Sequence, residues 1–317
     1  MRVVRGLERA RPRRPLCLAI GVLDGVHLGH QAIIREAVRA AAEEGASPAV
    51  LTFEPHPDAV LSAAGGPGLL TTTEEKLALL RGLGVELVVI ARFDEALAGM
   101  DAERFIEEAL LGRLRACCLH VGEGWRFGAG GEGTTALLRR LARRRGFRLG
   151  VVPRVMVDGE PVSSTQIRTL LARGDAEGAW RRLGRPYQVE GEVQTGRGRG
   201  RRLGWPTANV AAPAGKLLPA DGVYACWAGL RRLQAAVANI GVRPTFELDG
   251  PRGLEVHLLE GEPRRPLVGR RMRVAFAARL RRERRFPSGA ALAEQMARDA
   301  NRARAVLGRL QEPADVL

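Results

Sequence analysis

The sequence has very little lysine and few aromatic residues. Only Lys76 and Lys216 among its 50 basic residues are lysine, and Phe, Trp and Tyr make up 4% of the 317 residues. The formal net charge of +15 and the isoelectric point near 11.2 would suit a nucleic-acid-binding protein. So few aromatic side chains, however, offer little surface for stacking on bases. Because the arginines are spread along the chain, and a GC-rich genome alone would enrich Arg, Ala and Gly, we interpret the charge as solvated surface.

Long apolar runs are also missing. No segment is long enough to cross a bilayer as a helix. The basic first residues, MRVVRGLERARPRRP, are not followed by the apolar stretch and small-residue cleavage site of a secretory signal. These absences predict a cytoplasmic protein with no membrane partner.

Cysteine is scarce and lacks metal-binding spacing. The four cysteines are Cys17, Cys117, Cys118 and Cys226, and no two of them form a CxxC pair. Two are adjacent within an apolar run, which indicates core positions. We predict that all four are reduced and that none is bound in a disulfide or to a metal.

Strand-like and helix-like segments alternate through the first 185 residues. Strands are predicted at residues 16–22 and 48–53 and in VELVVIAR, CCLHVG and FRLGVVPRV. Helices are predicted at residues 30–44 and in TTTEEKLALL, DAERFIEEALLGRL and EGTTALLRRLARRR. Continuous apolar strands separated by helices indicate a parallel sheet covered on both faces, as in Rossmann-like α/β domains. We predict that residues 1–185 form such a domain.

The pattern changes near Arg185 and Pro186. Short strand-like pieces follow, namely YQVEGEVQT, GVYACWAG, QAAVANIG, GLEVHLLE and RMRVAFAARL, separated by loops rich in Gly and Pro. Such a series predicts a small antiparallel β-barrel. One last helix is predicted from about Ser288 to Leu310. The second domain is therefore predicted to span residues 186–317.

The segment GVLDGVHLGH (residues 21–30, here called the histidine turn) follows a predicted strand and precedes a predicted helix. Glycines allow a tight turn and close approach of the backbone to a ligand. The free N–H groups of a helix N-terminus attract phosphate, and imidazoles can stabilise charge that develops on it. We predict that His27 and His30 are catalytic and that the ATP cradle includes Gly21, Asp24, Gly25 and Gly29.

A second polar cluster begins the predicted helix in VSSTQIRTLL (residues 162–171). Hydroxyl groups, free N–H groups and a guanidinium would converge there, which suits the outer phosphates of ATP. Taken alone, the segment is equally well explained as a Ser/Thr helix cap. With the histidine turn in the same predicted domain, we favour phosphate binding by Ser163, Ser164 and Thr165 and a catalytic role for Arg168.

The segment TGRGRGRRLGWPTANV (residues 195–210) is rich in Gly and Arg and ends in PTAN. It lacks the Lys and the following helix of a Walker A loop, but backbone N–H groups in such a loop can still cradle phosphates. We predict phosphate contacts from Gly196, Gly198, Arg199 and Gly200. Thr207 and Asn209 are hard oxygen ligands two residues apart, so extended backbone places both on one side, and we predict that they hold Mg²⁺.

Five motifs in the first half resemble one family. HLGH and SSTQIR, with TFEPHP, TTTEEKLALL and VGEGWRFG in the same order, resemble the adenylyltransferase domain of bacterial bifunctional riboflavin kinase/FAD synthetases. The resemblance implies that His27 and His30 stabilise the transferring AMP group. The sequence departs from the family at Gly124, where Asn or Asp is usual, and at Trp125, where Phe is usual. His56 either lies near the site or has a turn role between two prolines.

The second half resembles the riboflavin kinase domain of the same family. DGVYA, ANIGVRPTF and LEVHLLE follow PTAN in the family's order. The resemblance implies that Glu255 is the catalytic carboxylate, acting as general base on the 5′-hydroxyl of riboflavin. Two departures occur here: Val268 stands where Tyr is common, and Glu260 replaces Asp. Together the motifs extend from about Arg14 to Leu307.

The resemblance implies a bifunctional enzyme that uses Mg²⁺ and the substrates ATP, riboflavin and FMN, with no nucleic acid and no obligate protein partner. One alternative is a riboflavin kinase whose adenylyl transfer is weakened or lost because of Gly124. Another is an arginine-rich nucleic-acid-binding protein on the same scaffold.

Overall fold

The computed structural model describes residues 1–63, 65–196, 204–242, 252–260, 266–310 and residue 312. It divides into two compact units, Met1–Ser163 and Ser164–Val316. This division assigns the segment between residues 164 and 185 to the second unit. The predicted domain boundary at residue 185 stays a prediction.

The first unit is built on six parallel strands. In chain order they are β1 (Arg2–Arg5), β2 (Leu16–Ile20), β3 (Ser47–Glu54), β4 (Leu87–Arg92), β5 (Ala116–Gly122) and β6 (Arg148–Val152). Their order in the sheet is β1-β4-β3-β2-β5-β6. Every residue of β2 is buried, as expected for a strand covered on both faces. The predicted parallel α/β fold is confirmed.

Strand β1 lies outside the sequence-based prediction. It pairs with β4 at one edge of the sheet, and three of its four residues are exposed. A short edge strand with arginine at both ends has no continuous apolar pattern, so hydrophobic periodicity does not identify it.

Six α-helices and two short 3₁₀ helices, Leu7–Arg9 and Ala129–Gly131, connect these strands. The α-helices are α1 (Leu28–Glu43), α2 (Pro57–Leu61), α3 (Thr73–Gly82), α4 (Glu95–Ala98), α5 (Ala102–Arg104), which continues as a π-helix over Phe105–Arg113, and α6 (Thr135–Arg145). Apolar side chains of α1 and α3 pack with strand residues in one core. Those of the π-helix and α6 pack with strand residues in another. The unit ends in a hairpin of β7 (Met156–Val157) and β8 (Glu160–Pro161).

Local sequence explains where α3 begins. The hydroxyl of Thr72 accepts a hydrogen bond from the backbone N–H of Glu75, and the Glu75 carboxylate accepts one from the N–H of Thr72. This reciprocal capping box satisfies two N–H groups that the helix itself leaves unpaired. Thr72 therefore fixes the point at which the helix predicted in TTTEEKLALL begins.

The cysteine prediction is wrong for one pair. Cys17 of β2 and Cys118 of β5 form a disulfide, with their Cα atoms 4.6 Å apart. An irregularity in the β2–β5 register after Leu16 places the two residues directly opposite each other. Cys117 and Cys226 are free thiols, and burial raises the pKa of Cys226.

The second unit begins with two helices and continues as a barrel. The helices are α7 (Ser164–Arg173) and α8 (Ala176–Leu183). The strands are β9 (Tyr187–Gln194), β10 (Ala208–Ala211), β11 (Gly222–Gly229), β12 (Gln234–Val242), β13 (Arg252–Leu258) and β14 (Arg271–Arg281). They close in the order β10-β13-β12-β11-β14-β9, and every pair is antiparallel. The predicted barrel is confirmed, with the PTAN segment supplying the additional strand β10.

The final helix α9 (Gly289–Leu307) covers one side of the barrel. Ser288 caps it by accepting a hydrogen bond from the N–H of Ala291. Its buried residues Ala300, Ala303 and Leu307 pack with apolar side chains of the strands. Within the described parts of both units, we find no helix with the length and apolar character needed to cross a membrane.

Candidate active sites

The histidine turn has an unusual backbone. Leu23, Gly25 and Val26 have φ angles of 54°, 84° and 40°, all in the left-handed region. Such a conformation costs roughly 1–3 kcal/mol for a residue other than glycine. Two of the three residues are not glycine, so contacts from outside the turn must stabilise it.

Asp24 provides such contacts. Its carboxylate accepts hydrogen bonds from the backbone N–H groups of Leu70 and Thr71, at 3.0 and 2.9 Å, and from the Thr71 hydroxyl at 3.1 Å. The Thr71 oxygen in turn accepts from the N–H of Gly25 at 3.0 Å. Asp24 is 2% exposed. The structure therefore gives this carboxylate a role in fixing the turn, and its ATP contact stays a prediction.

His27 is the N-cap of α1. Its Nδ1 accepts a hydrogen bond from the backbone N–H of His30 at 3.3 Å. In the neutral imidazole an accepting Nδ1 leaves the proton on Nε2. The two histidine rings stack with their centroids 3.5 Å apart and an interplanar angle of 19°. The structure thus brings the two predicted catalytic histidines together at the start of α1, where the helix dipole favours an anion.

The imidazole of His30 is held in its neutral form. Burial, then the neighbouring His27, then the ammonium of Lys76 lower the pKa of His30 well below its ordinary value. Its Nδ1 is buried and has no hydrogen-bond partner among the residues that the structure describes. A neutral imidazole can donate one N–H to a phosphate oxygen.

A side chain at Gly29 would crowd the ring of His27. A Cβ atom at Gly29 would lie 3.1 Å from Cε1 and 3.2 Å from Nδ1 of His27, and 4.0 Å from the carbonyl oxygen of Val162. A larger residue would press on the His27 ring and disturb its cap. Gly21, at the end of β2, is similarly close to the side chain of Leu23.

The SSTQIR residues lie at the start of α7. Ser163 is the last residue of the first unit, and α7 begins at Ser164, as predicted. Ser164 and Arg168 are four positions apart and therefore share one helix face, with Thr165 three positions from Arg168. Their joint action with the histidine turn on one ATP molecule stays a prediction.

The family departures in the first unit are accommodated by packing. Trp125 stacks on Phe127, with centroids 4.5 Å apart and an angle of 16°. Gly124 is exposed, and a Cβ atom there would lie at an ordinary 3.4 Å from a guanidinium nitrogen of Arg154. His56 caps α2 by accepting from the N–H of Asp58 at 3.2 Å, which gives it a turn role.

In the second unit, strand register brings three polar residues together. Glu255 of β13 lies directly opposite Asn209 of β10 on one side and Asn239 of β12 on the other. Side chains of opposite residues project from the same face of a sheet and lie close together. We call Thr207, Asn209 and Glu255 the barrel site. The amide of Asn239 donates to the Glu283 carboxylate at 3.0 Å, and neither of these two residues was predicted from the sequence.

Gly196 lies against the barrel site. A Cβ atom at this position would overlap the side-chain amide of Asn209, so only glycine leaves that amide in place. The other predicted residues of this loop, Gly198, Arg199 and Gly200, lie outside the described residues, and their phosphate contacts stay predictions.

His257 is a further residue that the sequence analysis missed. Its Nδ1 is 2.8 Å from the carbonyl oxygen of Pro206, and the edge of its ring meets Trp205 with centroids 4.9 Å apart. His257 follows Glu255 by two positions and shares its strand face. It therefore links the PTAN segment to the strand that carries Glu255. The spacing of two residues between Glu255 and His257 is the sequence feature that could have identified it.

The barrel site suits a hard cation. Asn209 is 8% exposed, and its amide oxygen and the Thr207 hydroxyl are oxygen donors of the kind that Mg²⁺ prefers. Thr207 immediately precedes β10. The two positions of the second unit that depart from the family pattern, Val268 and Glu260, are both exposed.

Comparison with known proteins assigns both halves of the chain. The profile of the FAD synthetase family matches residues 10–166, and that of the riboflavin kinase family matches residues 183–307. A bifunctional riboflavin kinase/FMN adenylyltransferase from Pseudomonas fluorescens is 38% identical over 310 residues, covering 96% of this chain and 98% of the relative. The chain belongs to the bifunctional riboflavin kinase/FMN adenylyltransferase family.

Other members of this family have comparable length. The protein of the same name from Escherichia coli K12 is 37% identical, covering 99% of this chain and 100% of the relative. Among solved structures, a Streptococcus pneumoniae protein described as a macrolide-efflux protein has a TM-score of 0.87 and 26% identity. That comparison covers 95% of this chain and 98% of the other. The fold over 95% of this chain is thus shared with a solved structure.

Proposed function

We propose that this chain makes FAD from riboflavin in two steps. Its second unit transfers the γ-phosphoryl group of ATP to riboflavin, giving FMN and ADP. Its first unit transfers AMP from a second ATP to FMN, giving FAD and pyrophosphate. The observation that carries the proposal is that the FAD synthetase match contains the histidine turn and the riboflavin kinase match contains the barrel site.

In the adenylyl transfer, a phosphate oxygen of FMN attacks the α-phosphorus of ATP, and the bond to pyrophosphate breaks. His27 and His30 donate hydrogen bonds to the α-phosphate as charge develops there. The N-terminus of α1 adds its free N–H groups. Ser164, Thr165 and Arg168 hold the phosphates that leave. No covalent enzyme intermediate is needed, because positioning and charge stabilisation suffice.

In the kinase reaction, the 5′-hydroxyl of riboflavin attacks the γ-phosphorus of ATP. Glu255 accepts the proton of that hydroxyl as general base. Thr207 and Asn209 would hold Mg²⁺, and a cation bound there would supply positive charge to the transferring phosphoryl group. Gly196 leaves the Asn209 amide in position, and His257 fixes the backbone before it.

Purified protein incubated with riboflavin, ATP and Mg²⁺ tests both reactions when the products are separated by chromatography. We expect FMN to appear first and FAD to follow. Supplying FMN in place of riboflavin isolates the second step. Absence of both products would contradict the proposal, and FMN without FAD would favour the kinase-only alternative.

The kinase-only alternative has less support. The FAD synthetase match spans residues 10–166 and includes Gly124, and the packing around Trp125 is intact. The predicted absence of nucleic-acid and protein partners and the cytoplasmic location stay predictions.

A further inference from the structure

Lys76 stands out because lysine is so rare in this chain. Of 50 basic residues only two are lysine. In a chain that otherwise uses arginine, a lysine draws attention, because its compact ammonium is not interchangeable with a planar guanidinium. Lys76 is partly buried on α3, beside the histidine turn, while most arginines of the described chain have exposed side chains.

The ammonium of Lys76 contacts the backbone of the histidine turn. Its Nζ donates to the carbonyl oxygen of Val22 at 2.8 Å. The same oxygen accepts from the hydroxyl of Thr52 at 2.9 Å, and Nζ lies 3.5 Å from that hydroxyl. Val22 immediately precedes Leu23, the first residue of the turn with a positive φ. Two donors therefore fix the carbonyl group from which the strained turn begins.

Residues 70–76 hold the turn at two points. Leu70 and Thr71 bind the Asp24 carboxylate, and Lys76 binds the Val22 carbonyl. The capping box of α3 lies between these two contacts. The position of Nζ is thus set by a helix whose start is itself fixed.

Lys76 also acts on His30 through charge. Burial lowers the pKa of Lys76, while the carboxylates of Asp24 and Glu54 favour its charged form. The charged groups that act on His30 are His27, from the N-cap of α1, and Lys76, from α3; both lower its pKa in addition to burial. An ammonium fixed at this place opposes protonation of the imidazole.

We propose that Lys76 is a positioning residue for adenylyl transfer, which together with Thr52 fixes the Val22 carbonyl from which the histidine turn begins. The inference rests on the proposed FAD synthesis in the first unit. By fixing this carbonyl, Lys76 holds the start of the turn that carries His27 and His30.

The test compares Lys76→Met and Lys76→Arg with wild type in the full-length protein. Two quantities are measured: the titration of the His30 imidazole by NMR, and the pH dependence of kcat for FAD formation from supplied FMN. FMN formation from riboflavin, in the second unit of the same chain, is the internal control. Arg81→Met is the matched variant, because it removes an exposed cation from the same helix.

For Lys76→Met we expect the kcat of FAD formation to fall about 10- to 100-fold, as for other misplaced catalytic groups. The His30 imidazole should titrate at a higher pH, because the neighbouring ammonium is gone. Lys76→Arg keeps the charge, so it should lower kcat while leaving the titration closer to wild type. FMN formation should stay within about twofold throughout, and Arg81→Met should match wild type.

Thr52→Val separates the two roles and guards against a folding defect in Lys76→Met. It removes the second donor to the Val22 carbonyl and no charge, so it should lower kcat and leave the His30 titration unchanged. A kcat for FAD formation at the wild-type level in Lys76→Met would overturn the proposal. A wild-type protein that makes no FAD would instead refute the proposed function.

Discussion

The histidine turn and the barrel site position their catalytic groups in different ways. The first is a continuous segment of ten residues whose strained backbone is held by Asp24 and Lys76. The second is assembled from strands distant in sequence, because Asn209 and Glu255 meet only through the register of β10 and β13. A site of the first kind depends on local backbone contacts, and one of the second kind depends on correct strand pairing.

The largest expected effects come from removing one catalytic group at each site. His27→Ala should lower FAD formation by about 10²–10³-fold, since it removes a hydrogen-bond donor and a helix cap together. Glu255→Gln should lower FMN formation by about 10²–10⁴-fold, since it removes the general base. Each variant should keep the other activity, measured with FMN or riboflavin as the supplied substrate.

Each of these two variants carries its own control, because the unit without the substitution should keep its activity in the same protein. If either substitution removed both activities in a protein with an unchanged circular dichroism spectrum, the assignment of one site to each reaction would be wrong.

A smaller effect is expected from Gly196→Ala. The added methyl group would overlap the Asn209 amide and displace it from the position opposite Glu255. Misplacing a ligand by about 1 Å can cost up to about 100-fold in rate. We expect FMN formation to fall and FAD formation from FMN to remain, in steady-state assays with each substrate.

Gly82→Ala is the matched control for that experiment. A Cβ atom at Gly82 meets no heavy atom within 4 Å, so both activities should stay at the wild-type level. Equal kinase rates in Gly196→Ala and wild type would mean that the Asn209 amide does not need this position.

The first unit should also lose stability in acid. Burial lowers the pKa of both His30 and His120, and an unfolded histidine titrates near about 6.5. Below that pH the unfolded chain binds protons that the folded unit excludes. Stability is therefore full above about pH 6.5 and falls as the pH drops toward the folded pKa values, by up to about 1.4 kcal/mol per pH unit for each histidine.

Urea denaturation at pH 7.5 and 5.5 measures this loss, with the two units followed separately by pulse proteolysis and mass spectrometry. His120→Asn removes one of the two groups and should reduce the pH dependence of the first unit. His120 is 2% exposed, and its two ring nitrogens have no hydrogen-bond partner in the described chain. Identical pH dependence in this variant and wild type would show that His120 is not the group excluded from protonation.

The sequence predicts the histidine turn more completely than the barrel site, because the first is local and the second joins distant strands. The histidine turn is local, since strand, glycine turn and helix follow one another, and periodicity with glycine placement identified it. The helix α3 was predicted from TTTEEKLALL for the same reason. The neighbours of Glu255 were not predicted, because Asn239 and Asn209 reach it through pairings that only the closed barrel defines.

The disulfide and the contact of Lys76 were not predicted from the sequence, because both join residues that are far apart in the chain. Cys17 and Cys118 are 101 residues apart, and their pairing depends on a register irregularity between β2 and β5. The contact of Lys76 with Val22 spans 54 residues. Composition pointed to Lys76 as an unusual residue, but only the packing of α3 against the turn shows what it contacts.

The smallest effect is expected at Gly124. The backbone there does not have a positive φ, and a Cβ atom would have only an ordinary contact with Arg154. Gly124→Asn should therefore fold normally and change the kcat for FAD formation by less than about threefold, in line with other exposed substitutions. FAD formation from FMN and ATP measures this, with FMN formation as the internal control. A tenfold gain would show instead that the histidine turn is complete while a neighbouring group is missing, and that glycine at this position limits the first unit.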